Sequence, residues 1–389
     1  MAFIWLPGQS WAQGYSNESW FVESGILAGR SIPNFSRFPD AGIRQGYLIG
    51  VGKKHQSDSI HWHRYYNYPS LSLAFLYSDL GSAELGKELS LIPYFVINFS
   101  KKKQKSFYAR FGLGLSYATN PWDSLTNRNN EILGDHWNWI FHAALERTLV
   151  HTSRFQLRLG AAYLHSSNSH TNLPNFGLNS VMLSLTAQHY QYPVLPVSGN
   201  LHNLEPDRNR IFFLQIMPGF GVHELGGTRR PRNGPNKYIP SLSVQGGVIF
   251  RQHLKVKLGL TYRYYDSFRD DIVANELSDY QDAPVWNATH IFLGVGVEYL
   301  VGHVGLDLES GFTIHKPYFD HWYERFASDK TEWDRWRNKN IPRRIGLNLY
   351  LLNTNKNPRQ NVFVGLHINA NWATADFMGY TVGYVKRWE

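Results

Sequence analysis

The chain has 389 residues, a length that holds one large or two medium domains. Hydrophobic residues make up 43% of it, charged residues 18% and aromatics 15%, with no Cys. That excludes a disordered chain, a disulfide scaffold, cysteine-ligated zinc and a cysteine nucleophile. The formal net charge of +9 suits an anionic partner, whether nucleic acid, anionic lipid or lipopolysaccharide phosphate, and charge alone does not choose among them. No nucleic-acid module and no phosphate-cradling glycine loop is present, so no nucleic acid and no cofactor is expected.

From the N-terminus, residues 1–12 are read as the remnant of a secretory signal: an apolar start, then Ser10-Trp11-Ala12 as a small-x-small cleavage pattern. No run of 18 or more apolar residues follows, so no transmembrane helix is expected. The dominant pattern is alternation with period two, the signature of half-buried strands. In residues 107–117 one face is Phe, Ala, Phe, Leu, Leu, Tyr and the other Tyr, Arg, Gly, Gly, Ser. In residues 304–314 Asp307, Glu309, Gly311 and Thr313 share the face opposite an apolar stripe. Low charge, many aromatics and charged residues on one face of strand after strand suit a barrel whose apolar face meets lipid.

About sixteen strands are expected. The first eight fall near 19–30, 41–53, 69–80, 86–100, 105–119, 132–149, 154–167 and 178–192. The second eight fall near 209–222, 239–251, 254–265, 288–300, 302–315, 343–353, 360–369 and 376–388. Tight turns, including one at the lysine run 101–105, alternate with long loops near 119–131, 168–177, 223–238, 265–287 and 316–342. The last strand is expected to show Met378, Tyr380, Val382, Tyr384 and Trp388 outward. The fold class is therefore all-β, a transmembrane antiparallel β-barrel of about 16 strands, either one large barrel or two 8-stranded halves. Residues 13–192 form the first half, 193–208 a linker and 209–389 the second half. A weak internal repeat relates them: Gly114–Tyr117 before Pro121 and Gly311–Ile314 before Pro317, and His165 and His367 near the ends of strands seven and fifteen. His367 is read as structural.

Strand seven places Phe155, Leu157, Leu159, Ala161, Tyr163, His165 and Ser167 on one face, with Gln156 and Arg158 on the other. His165 and Ser167, at i and i+2, can close to a hydrogen bond, the minimum for an activated hydroxyl nucleophile. Strand eight puts Asn179, Val181, Leu183, Leu185 and Ala187 on the same apolar exterior. His165, Ser167 and Asn179 thus gather at the loop end of an apolar hairpin, and an amide can orient a histidine in place of a carboxylate.

The run His165-Ser166-Ser167-Asn168, followed by Pro174-Asn175-Phe176-Gly177-Leu178-Asn179, resembles the lipid A 3-O-deacylase (acyloxyacyl hydrolase-like) family of outer-membrane barrels, whose pattern is His-x-Ser-Asn followed by Pro-Asn-x-Gly. The resemblance implies a general base at His165, a nucleophile at Ser167, a site-shaping Asn168 and an oxyanion-hole contribution from Asn175. It implies lipid A or lipopolysaccharide as partner, a membrane setting and location in the cell outer membrane. Two positions depart from the pattern. Asn179 stands where the family has a glutamate, and His170 where it has a small residue.

Two further clusters are weighed. His55, His61 and His63 offer metal-ligand types but no carboxylate cluster, and are expected as solvated loop histidines, so no metal is expected. Asp266, Asp270, Asp271 and Glu276, with Arg269 among them, are expected as a solvated loop tip. The functional expectation is an outer-membrane lipid esterase acting by a Ser-His mechanism. The alternative is a non-enzymatic barrel (pore, adhesin or structural) with a decayed site.

Overall fold

The computed structural model describes residues 18–57, 60–100, 106–194, 210–230, 234–327 and 330–388. The signal segment read at 1–12, the lysine run 101–105 and most of the linker 193–208 lie outside the described residues.

Among the described residues, sixteen antiparallel strands form: β1 Glu18–Ser31, β2 Arg44–His55, β3 Ser70–Asp79, β4 Lys87–Asn98, β5 Phe107–Ala118, β6 Trp137–His151, β7 Phe155–Ser167 and β8 Leu178–Tyr190, then β9 Arg210–Glu224, β10 Asn236–Phe250, β11 Leu254–Tyr264, β12 Thr289–Val301, β13 Val304–His315, β14 Pro342–Tyr350, β15 Gln360–Asn371 and β16 Thr374–Trp388. Strand β1 pairs with β8, from Phe21 opposite Tyr190 to Ser31 opposite Ser180. Strand β16 pairs with β9 in the same sense. The chain therefore closes twice, into two eight-stranded barrels, and the single sixteen-stranded barrel is set aside.

The alternation in the sequence becomes alternation in burial. Along β7, Leu159, Ala161 and Tyr163 are exposed on the barrel exterior while Gln156, Arg158 and Gly160 are buried. Strand β13 repeats this, with Val304 and Phe312 exposed and Asp307 and Glu309 buried. On β16 the expected stripe holds for Tyr380, Val382, Tyr384 and Trp388. Met378 departs from it: next to residues 373–376, which line a cleft described below, it is 2% exposed.

The inward charges neutralise one another. In the first barrel Arg110 reaches Glu23 at 3.0 Å and Glu146 at 2.7 Å, and Arg44 reaches Glu88 at 2.6 Å. In the second, Lys257 pairs with Asp307 at 2.6 Å, Arg344 with Glu309 at 2.7 Å and His367 with Asp307 at 3.4 Å. His367 is thus an interior structural histidine, as its flanking residues led one to expect. Removing one partner of such a pair strands a buried charge at a cost of about 3–5 kcal/mol.

At one end of the barrels the β6–β7, β10–β11 and β12–β13 connections are short, while β2–β3 there spans residues 56–69. The β12–β13 turn is two residues, with Gly302 at φ 63°, the left-handed conformation such a hairpin demands. The other end carries the long loops, and here the structure adds what periodicity did not reveal. The stretch 265–287 contains α2 Asp266–Ala274 and α3 Pro284–Asn287, and 316–342 contains α4 Phe319–Phe326 and α5 Glu332–Asn340. A further short helix, α1 His61–Tyr65, precedes β3 at the opposite end. Helix α5 has a capping box, Thr331 Oγ1 accepting from the Asp334 amide at 3.1 Å while the Asp334 carboxylate accepts from the Thr331 amide at 3.3 Å. The tips are short, and their apolar residues pack onto the barrel mouth (Tyr265, Phe268, Ile272 and Tyr318 in one cluster), so no long amphipathic period marks them.

A candidate hydrolytic site at the barrel mouth

Strand β7 delivers its last three residues to the mouth of the first barrel, and β8 begins beside them, His165 lying opposite Asn179 in the pairing. The exterior register holds, so His165 and Asn179 both follow the apolar stripe. Asn179 Oδ1 accepts from His165 Nδ1 at 2.8 Å and from the Tyr163 hydroxyl at 2.6 Å. With Nδ1–H donating, the neutral imidazole keeps its lone pair on Nε2, the tautomer a general base requires. Tyr163 went unremarked as a site residue in the sequence because it reads as one more apolar member of the stripe.

Ser167 follows two residues on, buried beneath the β7–β8 loop. Among the described residues no hydrogen bond joins it to His165. Its hydroxyl instead faces Asn175, donating to Oδ1 at 3.2 Å and accepting from Nδ2 at 2.9 Å. The Ser169 amide also donates to Ser167 Oγ, at 3.2 Å. The direct Ser–His bond allowed by their spacing is thus replaced by an amide clamp, because the loop folds Asn175 back over the serine.

The loop is built to hold that clamp. Asn168 donates from its amide to Asn175 Oδ1 at 3.3 Å and from Nδ2 to the Asn172 carbonyl at 2.7 Å, while its Oδ1 accepts from the His170 amide at 3.0 Å. Asn172 reaches Asp135 on the neighbouring loop at 2.6 Å. Ser169 and His170 both have positive φ, 56° and 70°, which turns the chain sharply after the serine. Gly177 has φ 71°, and a Cβ there would sit 2.8 Å from His165 Cε1, so glycine is required for the imidazole to occupy its place.

The second barrel closes over this loop. Segment 224–230 of the β9–β10 connection takes four bonds from it or gives them to it. Leu173 donates to Glu224 Oε2 at 2.7 Å, Asn175 to the Thr228 carbonyl at 2.8 Å and His170 Nε2 to the Gly226 carbonyl at 3.1 Å, and the Glu224 amide donates to the His170 carbonyl at 3.0 Å. His170 is fully enclosed, and burial holds its imidazole below the ordinary range, so it sits neutral. Arg229 pairs with Glu131 of the first barrel at 2.9 Å and lies over the Phe176 ring, 5.3 Å from its centroid. His165, Ser167, His170 and Asn175 line a cleft of 870 Å³ whose opposite wall comes from the second barrel, including Lys316, Trp322, Arg325 and Asp376. These partners are distant in sequence and carry no motif.

Two other expectations are corrected. His55 and His63 are buried rather than solvated, because α1 packs them against the end of β1 and β2. With Glu18 they present ligand atoms within 4.8 Å of one another, donor types that zinc accepts, although Lys53 is ion-paired to the same carboxylate. Nothing is described of the His61 side chain. The acidic stretch 266–276 is solvated only in part, because α2 turns Asp271 inward to Arg325 at 2.8 Å and Tyr318 at 2.6 Å while Glu276 stays exposed. Asp270 pairs with Lys237 at 2.7 Å, so two of the four carboxylates are matched by cations rather than left free for calcium.

Residues 48–188 match the family model described as lipid A 3-O-deacylase (PagL). The resemblance carried by His165–Asn168 and Pro174–Gly177 is therefore shared by most of the first barrel, while residues 210–389 lie outside the match. No curated protein matches the chain. Among solved structures, the outer membrane enzyme PagL is 16% identical and covers 44% of this chain and 99% of its own, with a TM-score of 0.29. The FrpB iron transporter from Neisseria meningitidis is 7% identical over 96% of this chain and 70% of its own, with a TM-score of 0.21. A Rhodopseudomonas blastica porin variant is 9% identical over 95% of this chain and 99% of its own, with a TM-score of 0.16. The functional reading rests on the family match and on the site geometry.

Proposed function

We propose that this chain, whose residues 48–188 match the lipid A 3-O-deacylase family, is an outer-membrane esterase that removes an ester-linked acyl chain from lipid A. Outer-membrane location accords with that family and with two closed antiparallel barrels whose exteriors are apolar. The observation that carries the catalytic reading is the His165 Nδ1–Asn179 Oδ1 bond of 2.8 Å, which leaves Nε2 free on the same strand face as Ser167. The exposed stripe of β7, Leu159, Ala161 and Tyr163, leads up to the cleft that holds Ser167, which suits a substrate whose acyl chains lie beside the barrel.

The chemistry follows from these groups. For attack, the Ser167 hydroxyl must leave Asn175 Oδ1 and turn toward His165 Nε2. As its proton passes to Nε2, Oγ attacks the ester carbonyl carbon, and the carbonyl π electrons move onto oxygen. The Asn175 amide and the Ser169 N–H, both already aimed at the serine, are the donors placed to stabilise that oxyanion. Collapse breaks the ester C–O bond, and the sugar oxygen leaves with the proton from His165. Water, deprotonated by the same imidazole, then cleaves the acyl-serine to a free fatty acid. Asn179 and Tyr163 orient the ring throughout, but an amide does not offset the imidazolium charge as a carboxylate does.

The test is release of free fatty acid from lipid A in detergent by the purified, folded protein. Wild type should release it, and Ser167→Ala and His165→Ala should each lower the rate by several powers of ten. Undiminished release by Ser167→Ala would reject this nucleophile.

A further inference from the structure

The cleft that holds Ser167 is built from two barrels with divided contributions. The first barrel supplies His165, Ser167, His170 and Asn175. Among the described residues, every Lys and Arg on the lining comes from the second: Arg229, Arg230, Lys316, Arg325 and Lys330. Among the described residues, Asp376 is the one acidic residue of the lining. With Arg229 and Arg325 offset by the carboxylates of Glu131 and Asp271, the cations left to the cleft are Arg230, Lys316 and Lys330, facing the single carboxylate of Asp376.

These cations are not equally committed. Arg229 is paired with Glu131, Arg325 with Asp271, and the Lys316 ammonium donates to Asn371 Oδ1 at 2.7 Å. Arg230 and Lys330 are exposed, and among the described residues neither has an ion-pair partner. Both line the cleft, Arg230 from the connection after β9 and Lys330 from the connection after α4. Burial draws Lys316 down to about 7, with Asp376 pulling the other way, so it is only partly protonated near neutral pH and an entering anion would favour its charged form. Beside them Phe319 and Trp322 offer an apolar wall, the Lys316 ammonium lying 4.4 Å from the Phe319 ring centroid.

We propose that the second barrel is a substrate clamp, its Arg230 and Lys330 binding a phosphate of the glycolipid headgroup while Ser167 faces the acyl ester. This rests on the esterase reading for the identity of the lipid. Phosphate is the fitting anion because a planar guanidinium donates two parallel hydrogen bonds to it and an ammonium adds a point charge. The arrangement also gives a physical reason for the bonds from segment 224–230 to the catalytic loop: they fix the clamp relative to the nucleophile.

Binding is read separately from turnover. Ser167→Ala protein is titrated in detergent with phosphorylated lipid A, with the same lipid after enzymatic removal of its phosphates, and with inorganic phosphate. The phosphorylated lipid should bind roughly tenfold more tightly than its dephosphorylated form, a preference of about 1.4 kcal/mol. Adding Arg230→Gln and Lys330→Gln should reduce that preference to below about threefold, raised salt should do the same, and Arg230→Lys with Lys330→Arg should keep most of it. The unboiled protein's shifted gel mobility checks that each variant remains a folded barrel. Equal binding of both lipids to Ser167→Ala protein, or equal weakening of both by the Gln pair, overturns the clamp. Inorganic phosphate should compete with the phosphorylated lipid alone; displacement of both lipids alike by millimolar inorganic phosphate also overturns it. If the phosphate preference holds but wild type hydrolyses neither lipid, the esterase reading falls and the clamp stands; if wild type hydrolyses both lipids equally well with no preference, the reverse is true.

Discussion

His170 Nε2 donates to the Gly226 carbonyl at 3.1 Å, and the His170 carbonyl accepts from the Glu224 amide at 3.0 Å. The loop that carries Ser167 is thereby tied to the second barrel by side chain and backbone together. This is the position where the deacylase pattern has a small residue, and the larger side chain here spans the gap to a neighbour that a single barrel does not have. His170→Ala removes one buried hydrogen bond, worth about 1 kcal/mol, so segment 224–230 should open roughly fivefold more often. Trypsin cleavage after Arg229 in the folded protein reads this directly, because Pro231 protects the bond after Arg230. A cleavage rate equal to wild type would mean that the backbone bonds alone hold the two barrels' loops together.

Asn179 sets the orientation of the base without charge. Asn179→Ala should lower the rate of ester hydrolysis by about ten- to a hundredfold, less than loss of His165 or Ser167. Asn179→Glu should hold or raise it, since a carboxylate at this site would keep the Nδ1 bond and stabilise the imidazolium. A steady-state comparison of the three proteins on one lipid substrate decides. Hydrolysis by Asn179→Glu with none by wild type would identify a decayed enzyme.

Gly177→Ala should damage activity without unfolding the barrel. Its Cβ would stand 2.8 Å from His165 Cε1, and the residue's φ of 71° penalises any side chain. A displacement of the ring by a few tenths of an ångström at a reacting centre lowers kcat by about ten- to a hundredfold. The gel mobility shift of the unboiled protein should stay as in wild type. Full activity in Gly177→Ala would show that the imidazole has more room than the structure gives it.

The membrane-facing register is open to a stability test. Leu159 is exposed on the middle of β7, and Leu159→Arg should cost about 2–4 kcal/mol when the protein is folded reversibly into lipid bilayers. Arg110→Ala should cost about 3–5 kcal/mol, because Glu23 and Glu146 are then buried without their shared cation. Denaturant titrations of tryptophan fluorescence in vesicles measure both. A neutral Leu159→Arg would place that face in water.

The strands were legible because a barrel wall has one apolar and one polar side, and period two records it residue by residue, as on β7 from Gln156 to Leu164. Barrel closure was not legible, since β1 pairs with β8 through backbone bonds that carry no side-chain code. The helices α2 to α5 were hidden because their packing surfaces are a few aromatics at irregular spacing, such as Tyr265 and Phe268. His165, Ser167, Asn175 and Asn179 could be placed together because they sit within fifteen residues on one hairpin. Tyr163 was read as lipid-facing apolar surface, and Arg229 carried no motif and sits in a loop far along the chain. Contacts between barrels arise from tertiary folding, which local pattern does not encode.

Mass spectrometry of lipid A extracted from cells expressing this chain, and from cells expressing its Ser167→Ala variant at equal outer-membrane abundance, tests the central claim most directly. The account predicts a lipid A species lighter by one ester-linked acyl chain with the wild type, absent with Ser167→Ala. Identical lipid A profiles in the two strains, whether both trimmed or both intact, would contradict it.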